Sequence, residues 1–132
     1  MPKLFSLKVT ADMEFFKAPN DESPPGQSDG DTHLCLSLAR PGGGDIPLNS
    51  KFSVTLVPIL FPSGGTLPPV VVEEPNIDSE KSEGFYRLAC YRTAMYKQPP
   101  WVSGIYVFGV KVRLTIDSVN YVGQTLVRLI ID

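Results

Sequence analysis

Odd-numbered positions from Phe5 to Phe15 are all apolar: Phe5, Leu7, Val9, Ala11, Met13 and Phe15. Between them lie Ser6, Lys8, Thr10, Asp12 and Glu14. A period of two turns one face of an extended strand to a core and the other to water. The alternation returns over Thr32–Ala39, with Leu34, Leu36 and Leu38 on one face, and over Phe52–Phe61, with Phe52, Val54 and Leu56. It is longest over Trp101–Asp117, where Tyr106, Phe108, Val110, Val112, Leu114 and Ile116 face one way and Lys111, Arg113, Thr115 and Asp117 the other. Tyr121–Ile131 brings Val127, Leu129 and Ile131 back to the same interior, so the last two runs read as a hairpin turning at Asp117–Asn120. Two weaker segments complete the set. Leu67–Glu74 starts at Pro68-Pro69, which suits an edge strand. Phe85–Tyr96 has no wholly apolar face because of Arg87 and Arg92, and a short helix is an alternative there.

The intervening stretches carry turn chemistry. Ala18–Asp31 holds prolines, glycines and acids with no apolar residue after Ala18, and predicts a long exposed loop. Arg40–Asp45 and Pro62–Gly65 are glycine-containing turns, Asn76–Gly84 is a polar loop, and Lys97–Pro100 breaks the chain before Trp101. Pro58 predicts a distortion in its strand. About seven short strands, with no repeat, predict an all-β fold: one domain over residues 1–132, built as an antiparallel two-sheet β-sandwich. Thirteen prolines and eleven glycines among 132 residues exclude a helical bundle.

The closing pattern Trp101-x-x-Gly104-x-Tyr106-x-Phe108-x-Val110-x-Val112, followed by a last strand, resembles the end of immunoglobulin-like and cadherin-like bacterial domains. It implies a sandwich of immunoglobulin-like or jelly-roll-like type, and no particular activity. Val9-Thr10-Ala11-Asp12-Met13-Glu14 and the hairpin Gly104–Ile131 are similar to the first strand and terminal hairpin of AidA/PixA-type bacterial inclusion-body proteins. That likeness implies a cytosolic β-sandwich.

A formal net charge of −2 gives no broad footprint for nucleic acid. No window is long and apolar enough for a membrane-spanning helix. No charged segment leads an apolar run of secretory-signal length after Met1-Pro2-Lys3-Leu4-Phe5, so the expected compartment is the cytoplasm. Cys35 and Cys90 each fall inside a strand-like run. Buried reduced thiols are the first expectation and a disulfide clasping two strands the alternative. One histidine, His33, and no Cys-x-x-Cys exclude most zinc sites and catalytic triads, so no enzyme is expected.

Three constellations remain. Asp21, Glu22, Asp29 and Asp31 crowd the first long loop, and Asp29-Gly30-Asp31 lets two carboxylates converge. With Asp45 or Asp117 from other loops they could hold calcium, which takes oxygen ligands, or simply keep the loop solvated. Trp101 with Tyr96, Pro99 and Pro100 could present an aromatic platform for a sugar or peptide, or Trp101 could plug the end of the core. Arg87, Arg92, Lys111, Arg113 and Arg128 could line one basic face, or pair with acids across strands. Gly42-Gly43-Gly44 precedes Asp45-Ile46-Pro47 and so is not a phosphate loop. The expected function is a non-catalytic protein-interaction or structural assembly module without a cofactor, engaging a protein partner or its own copies. The alternative is a calcium-dependent glycan- or lipid-binding module built on residues 18–31.

Overall fold

In the computed structural model, which describes residues 4–19, 22, 25–28, 30–94 and 101–132, the alternating segments form strands β1 (Leu4–Ser6), β2 (Lys8–Lys17), β3 (Gln27–Ser28), β4 (Gly30–Ala39), β5 (Phe52–Leu60), β6 (Val71–Glu73), β7 (Asp78–Glu83), β8 (Tyr86–Arg92), β9 (Trp101–Val102), β10 (Gly104–Ile116) and β11 (Val119–Ile131). A five-stranded sheet runs β1-β11-β10-β5-β6 and a four-stranded sheet β2-β4-β8-β7, while β3 and β9 form a small bridge. Every pairing is antiparallel except β1 with β11. The fold is an all-β two-sheet sandwich, as the period-two pattern requires. No helix among the described residues is long and apolar enough to cross a membrane.

Between the sheets the alternating apolar positions interdigitate. Leu34, Leu36 and Leu38 of β4 meet Tyr106, Phe108, Val110, Val112 and Leu114 of β10 in one cluster with Val54, Leu56, Ala89 and Leu129, all at most 2% exposed. β10 pairs along its length with β11 and along much of it with β5, which makes it the spine of its sheet. Asp117 and Ser118, both at positive φ (49° and 66°), turn β10 into β11. That is the left-handed pair a two-residue hairpin needs to match strand twist.

Several elements differ from the sequence-based expectation, each for a local reason. The single strand expected over Phe5–Phe15 is two strands in two sheets. Leu7 donates its N–H to the Val122 carbonyl at 2.9 Å, and the chain then leaves β11 and pairs with β4 from Lys8 onward. From Leu7 to Phe15 the odd side chains stay on the inner face, and only Phe5, 46% exposed beside Tyr121, stands apart, so the pattern does not register the change of sheet. The run Trp101–Asp117 breaks at Gly104 (φ 135°), where a Cβ would strike the Pro62 ring. The Pro58 distortion is a register shift that leaves Ile59 unpaired between Pro58↔Phe108 and Leu60↔Val107. Asn76–Gly84 is largely strand β7, a polar edge whose Ser82 hydroxyl accepts the Leu88 N–H at 3.1 Å and so stands in for ladder bonds. The segment with the helical alternative is strand β8.

The cysteines correct another expectation. Cys35 and Cys90 lie directly opposite each other on β4 and β8, on the half-buried outer face of the four-stranded sheet, and are joined as a disulfide. They are neither core residues nor thiols, because they alternate with the inward Leu34, Leu36 and Ala89. The bond closes a separation of 55 residues, which by loop-closure entropy stabilises the fold by about 4 kcal/mol. Reduction should therefore lower the thermal midpoint by roughly 10 °C or more. Melts with and without reductant, and of the Cys35→Ser/Cys90→Ser variant, check this, and an unchanged midpoint contradicts it.

Candidate interaction surface

Among the described residues, the acids singled out in the sequence are dispersed over the fold. Asp31, near the start of β4, lies 2.9 Å from Arg92 Nη2. Asp45, beyond the end of β4, lies 3.0 Å from Arg87 Nη2, and Arg87 Nε donates to the Ile46 carbonyl at 2.6 Å. Arg40, which follows β4, sits 5.1 Å over the Tyr121 ring, so the Asp45 loop shares an end of the sandwich with the β10–β11 turn that contains Asp117. Asp31 is at the other end, about 25 Å away along β4. A calcium site drawing on both Asp31 and Asp45 is thereby corrected. Asp21 and Asp29 lie outside the described residues, among which no group of three His, Cys, Asp or Glu side chains could hold a metal.

Trp101 is also placed differently from an exposed platform. It is 1% exposed, edge-on to Phe15 (6.2 Å) and to Tyr106 (5.0 Å), and fills the end of the core. Its backbone and that of Val102 pair with β3. Tyr96 lies outside the described residues. Near this interior, burial pushes the Tyr91 phenol above its ordinary pKa and the charge of Glu73 adds to the effect. Burial also raises Glu73, while the Ala94 N–H donated to its carboxylate at 3.2 Å works against the shift. His33 packs edge-on against Phe16 at 4.7 Å. The five basic residues do not form one stripe. Arg87 and Arg92 belong to β8, and Lys111, Arg113 and Arg128 to β10 and β11 in the other sheet.

What the sequence reading missed is the outer face of the five-stranded sheet. Registers place Ile130 beside Ile105, Arg128 beside Val107 and Leu60, and Leu126 beside Gly109 and Val57. Leu126 is 65% exposed, Ile130 59% and Ile59 58%. Together with Leu60, Ile105 and Val57 they present roughly 500 Å² of apolar surface, near the upper end for a monomer. Gly109 lacks a side chain in the middle of it, leaving a dish of about 390 Å³ between Val57, Ile59 and Leu126. Farther along the same face the rows become polar at Lys111–Gln124–Thr55. The signal was present in the sequence, since Val57, Ile59, Ile105, Leu126 and Ile130 sit on the face that alternation assigns to water.

Among the described residues, no strand continues the five-stranded sheet beyond β11 past Val122. β1 pairs with β11 only at Asn120, Tyr121 and Val122, and β2 then belongs to the opposite sheet. A groove of about 760 Å³ runs between the two edges, lined by Ala11–Phe15 of β2 and by Leu126, Val127, Arg128 and Ile130 of β11.

No family model matches the chain, and no curated protein is similar to it. Among solved structures, the X-ray structure of Northeast Structural Genomics Consortium target SoR45 is similar with a TM-score of 0.52 and 8% identity, covering 96% of this chain and 87% of that one. At that identity the likeness concerns the fold alone.

Because Asp31 and Asp45 are tied to different arginines at opposite ends, Asp45→Asn should leave the response of the thermal midpoint to millimolar calcium the same as in the unaltered chain. A rise of several degrees with calcium, as native-state binding produces, that Asp45→Asn and Asp31→Asn each abolish contradicts this placement.

Proposed function

We propose that this chain is a non-catalytic interaction and assembly module. The observation that carries the reading is the row of exposed Leu126, Ile130, Ile59 and Ile105 on the outer face of the five-stranded sheet. Burying such a face removes apolar area from water at about 25 cal/mol per Å², the usual driving force for association. The dish at Gly109 gives it relief that a protein side chain can fill, in the manner of an interface core. Lys111, Arg113 and Arg128 on the same face add a positive rim that steers a partner by its charge. Among the described residues, Asp31 and Asp45 are held in ion pairs and His33 packs against Phe16.

The half-exposed Cys35–Cys90 bond bears on where the module works. Disulfides persist in oxidising compartments, so it supports an oxidising setting over the cytoplasm expected from the sequence.

A photoreactive amino acid in place of Ile59 tests the proposal in the cells that make the protein. Irradiation should give a covalent adduct of higher mass from Ile59, while the same group at Thr10, on the other sheet's outer face, gives none. The adduct should disappear when Val57 and Leu60 are changed to lysine. No adduct at Ile59, or equal adducts at Ile59 and Thr10, contradicts the reading.

A further inference from the structure

We infer that the free edge of β11 is a strand-pairing site, and that its occupant is β11 of a second copy of this chain. The inference rests on the assembly reading above and names one partner for it, at an edge distinct from the apolar face.

The backbone sets the geometry. Leu7 donates to the Val122 carbonyl, so Val122 turns its polar groups away from β10. Backbone groups alternate along a strand, and Gln124, Leu126, Arg128 and Ile130 therefore present their N–H and C=O groups on that same outer side. β1 ends at Ser6 opposite Val122, and among the described residues nothing pairs with β11 beyond it. A groove of about 760 Å³ lies between β2 and this part of β11, along Ala11–Phe15 and Leu126–Ile130.

Natural edges of this length are blunted by charge, proline, bulges or a covering element. The β2 edge on the same side is guarded in this way, with Lys8, Asp12, Glu14 and Lys17 along it. The β11 edge is not. From Gln124 to Ile131 it holds one charge, Arg128, and no proline, and its pairing with β10 is unbroken.

One self-pairing register uses this edge most fully. A two-fold axis at Val127 opposes Leu126 to Arg128 of the second copy and Gln124 to its Ile130. All four free positions are then used, with roughly eight backbone hydrogen bonds. No like charges are directly opposed, and Arg128 lays its aliphatic stem against leucine. Shifting the axis to Arg128 opposes two arginines. Shifting it to Leu126 demands Val122, whose carbonyl Leu7 already occupies. The contact is isologous, so it closes as a dimer with one continuous sheet across both copies.

Sedimentation of the purified full chain from micromolar to hundred-micromolar concentration, with amide hydrogen exchange at both limits, tests this. The expected result is a dimer in which the amides of Gln124, Leu126, Arg128 and Ile130 become protected as concentration rises. Their odd-numbered neighbours, bonded to β10, are protected throughout. Gln124→Pro and Arg128→Pro remove N–H groups the fold does not use, and should weaken the dimer roughly tenfold to a hundredfold while circular dichroism stays unchanged. A monomer at every concentration overturns the inference, as does a dimer whose four edge amides still exchange fast. Should a proline variant fail to fold, the exchange pattern of the unaltered chain still decides. The Ile59 adduct reports the assembly reading separately, because Ile59 lies on β5, away from this edge.

Discussion

A chain that leaves one sheet of a sandwich for the other must pass its backbone close to the strand it abandons. Here the passage occurs at Leu7, over Gly123. A Cβ at Gly123 would fall on the Leu7 carbonyl oxygen and a Val9 methyl, so only glycine lets β1 run on into β2 at this depth. The Leu7 N–H bond to Val122 pins the crossing. From that contact follow the membership of both sheets, the inward setting of Leu7, Val9 and Met13, and the early end of β1. Among the described residues, β11 has no strand partner past Val122 on this side for the same reason, because a strand transferred to the four-stranded sheet cannot also pair with β11.

The two outer faces then acquire different characters. On the four-stranded sheet, Asp12, Glu14 and the Asp31–Arg92 pair surround a covalent cross-link between β4 and β8. On the five-stranded sheet, leucine, isoleucine and valine flank a glycine dish, with cations beyond them and no acid at an outward strand position. Covalent closure on one side and open apolar surface on the other are compatible with a domain that is stable alone and still has a face to bury.

Strand content and core were readable because alternation is a property of side chains, and side chains make this core. Phe108, Val110, Val112 and Leu114 are buried where the period placed them, and the last hairpin turns at the expected residues. Sheet membership was hidden, since an inward residue at Leu7 looks the same whichever sheet its backbone joins. β7 was hidden because Asp78–Glu83 is polar on both faces, and its order comes from the Ser82 and Asp78 side-chain bonds rather than from burial. Trp101 and the acidic residues misled for a related reason. Residue type names a chemistry, but only tertiary placement decides whether an indole faces water or Phe15, and whether an aspartate meets a cation from solution or an arginine. The exposed Ile59, Leu126 and Ile130 were overlooked because apolar residues are ordinarily counted toward the core.

The crossing can be tested against a neighbouring glycine. A Cβ at Gly109 would meet Ile59 Cδ1 at 3.4 Å, an accommodating side-chain tip, and the Val57 carbonyl oxygen at an ordinary van der Waals distance of 3.9 Å. In most strands glycine to alanine is stabilising or neutral, so the sign of the change is informative. Denaturant unfolding of Gly123→Ala and Gly109→Ala, side by side, is the most direct measurement. A loss of about 2 kcal/mol or more for Gly123→Ala, with Gly109→Ala within about 0.5 kcal/mol of the unaltered chain, is the predicted result. Equal stability of the two variants would mean that the chain does not cross between the sheets over Gly123.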